Sequence, residues 1–230
     1  MFKNIRNNKN YTNNNFINIL LKVFLSYSFV ILLMLIFCLL TREVLKLETI
    51  TFDKQILNFL IKFRSSYLTS IMIQLSNLGE TGALVLVTIL SFYVIIKKQY
   101  HMFFNILLST SSALLFTYLL KKVVMRSRPD LLYQLISESS YSYPSGHATT
   151  TFTIFPMIAI YFVLLTKLKY SIKSLISIIS ILIPILVSFS RLYLGVHYFS
   201  DILAGAIVGL TFALIYYIII KKIINIKPLK

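Results

Sequence analysis

The stretch 202–220, ILAGAIVGLTFALIYYIII, runs for 19 residues without one charged side chain. A helix rises 1.5 Å per residue, so about 20 apolar residues cross the roughly 30 Å hydrocarbon core of a bilayer, where each backbone N–H and C=O must be paired within the segment. Further apolar runs of spanning length lie at 17–40, 78–96, 102–120, 148–165 and 172–189, separated by short charged patches. Hydrophobic residues make up 57% of the 230 and charged residues only 13%, which excludes an ordinary soluble domain and a disordered or fibrous chain. The sequence predicts an all-α, polytopic membrane protein with six transmembrane helices.

Between the first two runs lies a longer segment, 41–80. Within it Phe52, Ile56, Leu57, Phe59, Leu60 and Phe63 alternate with Asp53, Lys54, Gln55, Asn58 and Lys62 at helical spacing, the pattern of an additional interfacial helix lying on the membrane. Residues 1–16, rich in Asn with Lys3, Arg6 and Lys9, read as a disordered basic tail, 17–222 as a single membrane domain and 223–230 as a short basic tail. The 17–40 run is too long for a signal-peptide core and shows no small-residue cleavage site before Thr41, so it is expected to be retained as the first span. Cys38, the single cysteine, lies inside that run and forms no intrachain disulfide.

The 23 Lys and Arg against 7 Asp and Glu give a net charge of +16, which in a soluble chain would suggest a nucleic-acid partner. Their placement points to topology instead, and no nucleic acid is expected. Lys97 and Lys98, Lys167, Lys169 and Lys173, and Lys221, Lys222, Lys227 and Lys230 share one side with the basic amino-terminal tail. Glu43, Glu48, Asp53, Glu80, Asp130, Glu138 and Asp201 all fall on the other. The positive-inside rule then predicts cytoplasmic termini and an outer face that carries the acids.

Three polar clusters interrupt the apolar background at that outer face: Lys121 with Arg128-Pro129, then Pro144-Ser145-Gly146-His147, then Ser190-Arg191 with His197 and Asp201. Taken singly each has a bland explanation. Lys121 and Lys122 read as snorkelling anchors, Ser145 as a helix N-cap, and His197 with Asp201 as an exposed i,i+4 pair. Their convergence on one face describes a phosphate site. Arg128 and Arg191 can grip phosphate oxygens in bidentate fashion, and Lys121 adds a point charge. The N–H groups near Gly146 open a helix whose dipole favours an anion, and glycine there lets a ligand approach the main chain.

These clusters spell K-x6-R-P, P-S-G-H and S-R-x5-H-x3-D in order, with Lys121, Arg128, Pro129, Pro144, Ser145, Gly146, His147, Ser190, Arg191, His197 and Asp201 at the specified positions. In this the chain resembles the type 2 phosphatidic acid phosphatase superfamily of membrane lipid phosphatases. The resemblance implies that His197 is the nucleophile that forms a phosphohistidine, that Asp201 orients it, and that His147 is the acid for the departing lipid oxygen. It further implies that Lys121, Arg128, Ser145, Gly146 and Arg191 bind the phosphate, that no metal or other cofactor is required, and that the partners are a lipid phosphate substrate and membrane lipids. It names no protein partner.

The same residues admit two other readings. Two histidines and a carboxylate can serve as zinc ligands, but three cations around the same point repel a divalent ion. A non-enzymatic phospholipid or phosphate transporter would use the same anion site, yet no internal repeat is visible and the signature residues sit at one face, away from the midplane. The motifs do not choose the lipid: undecaprenyl pyrophosphate and phosphatidylglycerol phosphate lead, with phosphatidic acid and diacylglycerol pyrophosphate open.

Overall fold

The structure, a computed structural model, describes residues 27–224. The tail expected over 1–16, the start of the first apolar run and residues 225–230 lie outside the described residues. Six helical stretches are long and apolar enough to cross a membrane. In chain order the elements are α1 (Tyr27–Leu45), α2 (Ile50–Ile61), α3 (Ser66–Asn77), α4 (Ala83–Ile96), α5 (Tyr100–Val124), α6 (Gly146–Leu165), α7 (Tyr170–Tyr193) and α8 (Phe199–Ile224). Among the described residues there is no strand.

Two expected boundaries move. The first span was expected to stop at Leu40, but α1 continues to Leu45. Thr41 stays helical because its hydroxyl donates to Phe37 O at 2.8 Å and shares a 2.7 Å hydrogen bond with Tyr143 OH. The second span was expected from Leu78, yet the helix begins at Ser66 and runs unbroken to Ile96. Ser65 caps α3 by accepting from Leu68 N at 3.2 Å, and a π-helical turn, Leu78–Gly82, joins α3 to α4 where Gly79 and Gly82 suggest a break. The interfacial segment is therefore confined to α2.

Helix α2 has the expected amphipathic division. Leu57 and Leu60 are buried, whereas Phe52, Phe59 and Phe63 are more than half exposed. Asp53 lies on the buried face with the leucines.

The tightest helix contact is α8 on α6, which a stripe of small residues allows. A Cβ on Gly205 would stand 2.5 Å from Ser145 O and 3.0 Å from Ala148 Cβ, and one on Gly209 would stand 2.6 Å from Thr149 O. Only glycine permits backbones this close, and the approach places the start of α8 beside the start of α6. Because spans alternate in direction, the carboxy-terminal ends of α1, α5 and α7 meet the amino-terminal ends of α3, α6 and α8 at one face of the bundle. All three sequence clusters are at that face.

Candidate active site

Three chain segments build the site, each shaped by a local device. Helix α5 carries Lys121 in its last turn and stops at Met125, whose left-handed φ of 46° turns the chain into an irregular segment that includes Arg126 and Arg128. Ser145, extended at ψ 119°, precedes α6 and places Gly146 and His147 in its first turn. Arg191 sits in the last turn of α7, and Gly195, at φ 74°, makes the tight bend that returns the chain toward α8. A Cβ on Gly195 would collide with Tyr133 O, so the bend is closed over by the 126–145 loop.

The structure brings all of the expected site residues to this one place. His197 is only 2% exposed, and its two ring nitrogens meet different partners. Nδ1 lies 3.4 Å from Asp201 Oδ2, while Nε2 lies 3.3 Å from Arg128 Nη1. A carboxylate can only accept and a guanidinium can only donate, so the pair selects the tautomer with the proton on Nδ1 and the lone pair on Nε2, toward Arg128. Burial, and then the charges of Arg128, Arg191 and Lys121, hold the His197 imidazole well below its ordinary pKa, so the ring is neutral at physiological pH.

Arg128 is fixed by main-chain oxygens on both sides: Nη1 donates to Val196 O and Nε to Ser140 O, each at 2.7 Å. Lys121 Nζ donates to Tyr141 O. Arg191 donates through Nη1 to Ser76 Oγ at 2.5 Å and through Nη2 to Glu138. The remaining Glu138 oxygen stands 3.5 Å from Arg128 Nη2. Burial alone would raise the Glu138 carboxyl, but the Arg191 and Arg128 guanidiniums hold it below its ordinary value. A carboxylate thus rests against the two arginines.

Three buried polar atoms in the cluster have no hydrogen-bond partner: Ser145 Oγ, His147 Nε2 and Arg191 Nε. His147 Nε2 is 3.7 Å from Glu80 Oε2, beyond hydrogen-bonding reach. Buried polar atoms normally find partners, so three orphans at one site call for a ligand that supplies them. The main chain is open there as well, since a Cβ built on Gly146 meets no atom within 4 Å. A tetrahedral oxyanion suits this donor set. Among the described residues no group of three or more His, Cys, Asp or Glu side chains is arranged to hold a metal ion.

Sequence reasoning missed Arg126, Asp53, Glu138 and Glu80. Arg126 Nη1 donates to Asp201 Oδ1 at 2.6 Å and Nη2 to Asp53 Oδ2 at 2.7 Å. Burial opposes its charge, and the two carboxylates more than offset that, raising its pKa. The signal available was proximity: Arg126 lies two residues before Arg128 of the first cluster, and its partners Asp53 and Asp201 are far away in sequence.

Comparison with known proteins agrees with this geometry. The profile of the PAP2 superfamily matches residues 102–225. Phosphatidylglycerophosphatase B of Bacillus subtilis (strain 168) is 31% identical over 159 residues, covering 69% of this chain and 78% of that one. An undecaprenyl-diphosphatase of Sulfolobus acidocaldarius is 28% identical over 188 residues, 80% of this chain and 85% of its own. Among solved structures, the first transmembrane PAP2 type phosphatidylglycerolphosphate phosphatase from Bacillus subtilis superposes with a TM-score of 0.79 at 28% identity, covering 87% of this chain and 98% of that one. With six membrane-spanning helices, the three clusters at one face and these relatives, the chain belongs to the PAP2 superfamily and is a multi-pass membrane phosphatase.

Proposed function

We propose that the protein hydrolyses the phosphate or pyrophosphate of a lipid at the outer face of the membrane, through a phosphohistidine on His197, with undecaprenyl pyrophosphate and phosphatidylglycerol phosphate as its foremost substrates. The observation that carries this is the pair of contacts on His197, Asp201 at Nδ1 and Arg128 at Nε2, beside three orphaned polar atoms. The two substrates follow the names of the relatives, a phosphatidylglycerophosphatase and an undecaprenyl-diphosphatase.

In the first half-reaction the Nε2 lone pair attacks phosphorus and the bond from phosphorus to the lipid-side oxygen breaks in line. Asp201 accepts from Nδ1–H as the ring gains positive charge. Lys121, Arg128, Arg191, Ser145 Oγ and the Gly146 main chain meet the equatorial oxygens, where charge spreads in the transition state. The negative charge of the substrate favours protonated His147, which gives its proton to the leaving lipid oxygen. Water then attacks the phosphohistidine, His147 takes its proton, the N–P bond breaks, and inorganic phosphate leaves with His197 restored. These fixed cations do the work a metal ion does elsewhere.

The direct test is release of inorganic phosphate from each candidate lipid by the purified protein. Activity should persist in EDTA, and vanadate, which adopts the trigonal-bipyramidal shape of the transition state, should compete with substrate. Complete loss on chelation with recovery on zinc would overturn the metal-free reading, and no phosphate from any lipid would overturn the reading as a whole.

Support for the outer face comes from charge. All seven acids are on the active-site side of the predicted topology, and the loop at 97–99 and the turn at 166–169 on the other side carry only basic charge. In a Cys38→Ser background, a membrane-impermeant thiol reagent applied to intact cells should label Ser139→Cys and spare Lys169→Cys. Labelling of Lys169→Cys alone would put the site on the cytoplasmic face.

A further inference from the structure

Asp53 is 1% exposed, although the same helix leaves Phe52 and Phe59 more than half exposed. A buried carboxylate is costly unless fully matched, and this one is matched by groups that belong to the catalytic segment. Oδ1 accepts from Ser200 N at 3.0 Å; Oδ2 accepts from Ser200 Oγ at 2.5 Å and from Arg126 Nη2 at 2.7 Å. Ser200 lies in the first turn of α8, where main-chain N–H groups have no partner within the helix. Asp53 therefore caps α8 from another helix, in the position a local N-cap side chain would take.

Arg126 continues the chain of contacts. Its Nη1 donates to Ser200 Oγ at 2.7 Å and Asp201 Oδ1 at 2.6 Å, and its guanidinium lies 4.5 Å from the centre of the Tyr198 ring. Asp201 is then held at both oxygens, because Oδ2 also accepts from Tyr198 N at 2.8 Å while facing His197 Nδ1. Only the charge of Asp53 balances Arg126 from the side away from Asp201. Without it the guanidinium would draw on Asp201 alone and weaken that carboxylate as the acceptor for His197.

We infer that Asp53 on α2 is a positioning residue for the nucleophile, acting through Ser200 and Arg126 to fix the start of α8 and to leave the Asp201 carboxylate available to His197. This rests on the reading of His197 as the nucleophile. It gives the interfacial helix a part in the reaction without contact with the reacting atoms, since the phosphate cradle of Lys121, Arg128 and Arg191 is built from other segments.

The test separates orientation of His197 from binding of phosphate. Misplacement of a reacting group by about 1 Å costs on the order of 100-fold, so Asp53→Asn should lower kcat and the rate of phosphoenzyme formation by about 30–100-fold. KM and the competitive inhibition constant for inorganic phosphate should stay within about 2-fold, because ground-state binding is untouched. Asp53→Glu restores the charge but is longer, and should retain more activity than the isosteric Asp53→Asn. A packing role predicts the reverse order, and that result overturns the inference. So does an Asp53→Asn protein with unchanged kcat, or one whose phosphate binding falls as much as its turnover. Should that protein fail to accumulate, Ser200→Ala, which removes one link, should show the same split with kcat down about 5-fold and KM unchanged; equal losses in both then overturn it. A His197→Ala control that still forms phosphoenzyme would instead overturn the proposed mechanism.

Discussion

Alanine in place of His197 should abolish the acid-labile phosphoenzyme and lower lipid turnover by about four to six orders of magnitude, since removal of a nucleophile leaves only what binding and charge stabilisation supply. His147→Ala should behave differently. With an activated leaving group that needs no proton, it should still phosphorylate His197, while turnover of a lipid ester is lost. The pH profile carries the same argument. In the proposed mechanism the neutral imidazole attacks, and its pKa is held well below the ordinary value by burial and by Arg128, Arg191 and Lys121. Lowering the pH through 6.5, where a free imidazole charges, should therefore leave kcat/KM unaffected by His197, and the acid limb should appear further down. Acid-quench trapping and a pH-rate series check both statements; phosphoenzyme at wild-type level in His197→Ala would end the assignment.

The largest loss of stability is expected from Arg126→Met. Asp53 and Asp201, 1% and 0% exposed, would each lose their guanidinium partner with no water to replace it. Breaking a buried pair from one side costs about 3–5 kcal/mol, and here one side chain serves two carboxylates. Arg42 offers an internal contrast. It lies 3.9 Å from Glu43 with both side chains substantially exposed, and Arg42→Met should change stability by no more than about 0.5 kcal/mol. Unfolding curves of the two variants in the same detergent compare them directly. An Arg126→Met curve that overlays Arg42→Met would mean that the two buried carboxylates find other partners.

The residues of the three clusters were legible because their chemistry stands out from an apolar background, and the spans because backbone pairing in lipid leaves few alternatives. The start of α3 was hidden. Ser66, Thr69, Ser70, Gln74, Ser76 and Asn77 dilute the apolar signal, and Gly79-Glu80-Thr81-Gly82 reads as a break, whereas the π turn carries the helix through. That turn also brings Gly79 against His147, where a Cβ would stand 3.0 Å from the ring Cδ2. Asp53 was assigned to the polar side of α2 because its partners lie 73 and 147 residues away in sequence, and periodicity reports only local faces. Glu138 has no motif at all, and only folding of the 126–145 loop shows that it rests on Arg128 and Arg191.

Asp53 precedes Ser200 by 147 residues, so at 5–20 residues per second a ribosome delivers them about 7–30 s apart. For the first half of that interval, the 73 residues before Arg126, Asp53 lacks its counter-ion, and the hydrated membrane surface is where it can wait. Arrival of Arg126 supplies the opposite charge, and arrival of the α8 amino terminus supplies the last donors. Asp53 is thus synthesised well before its last donors, and a chain truncated before residue 200 leaves its carboxylate without the Ser200 N–H and hydroxyl. The full set of Asp53 contacts exists only once the start of the sixth span is present.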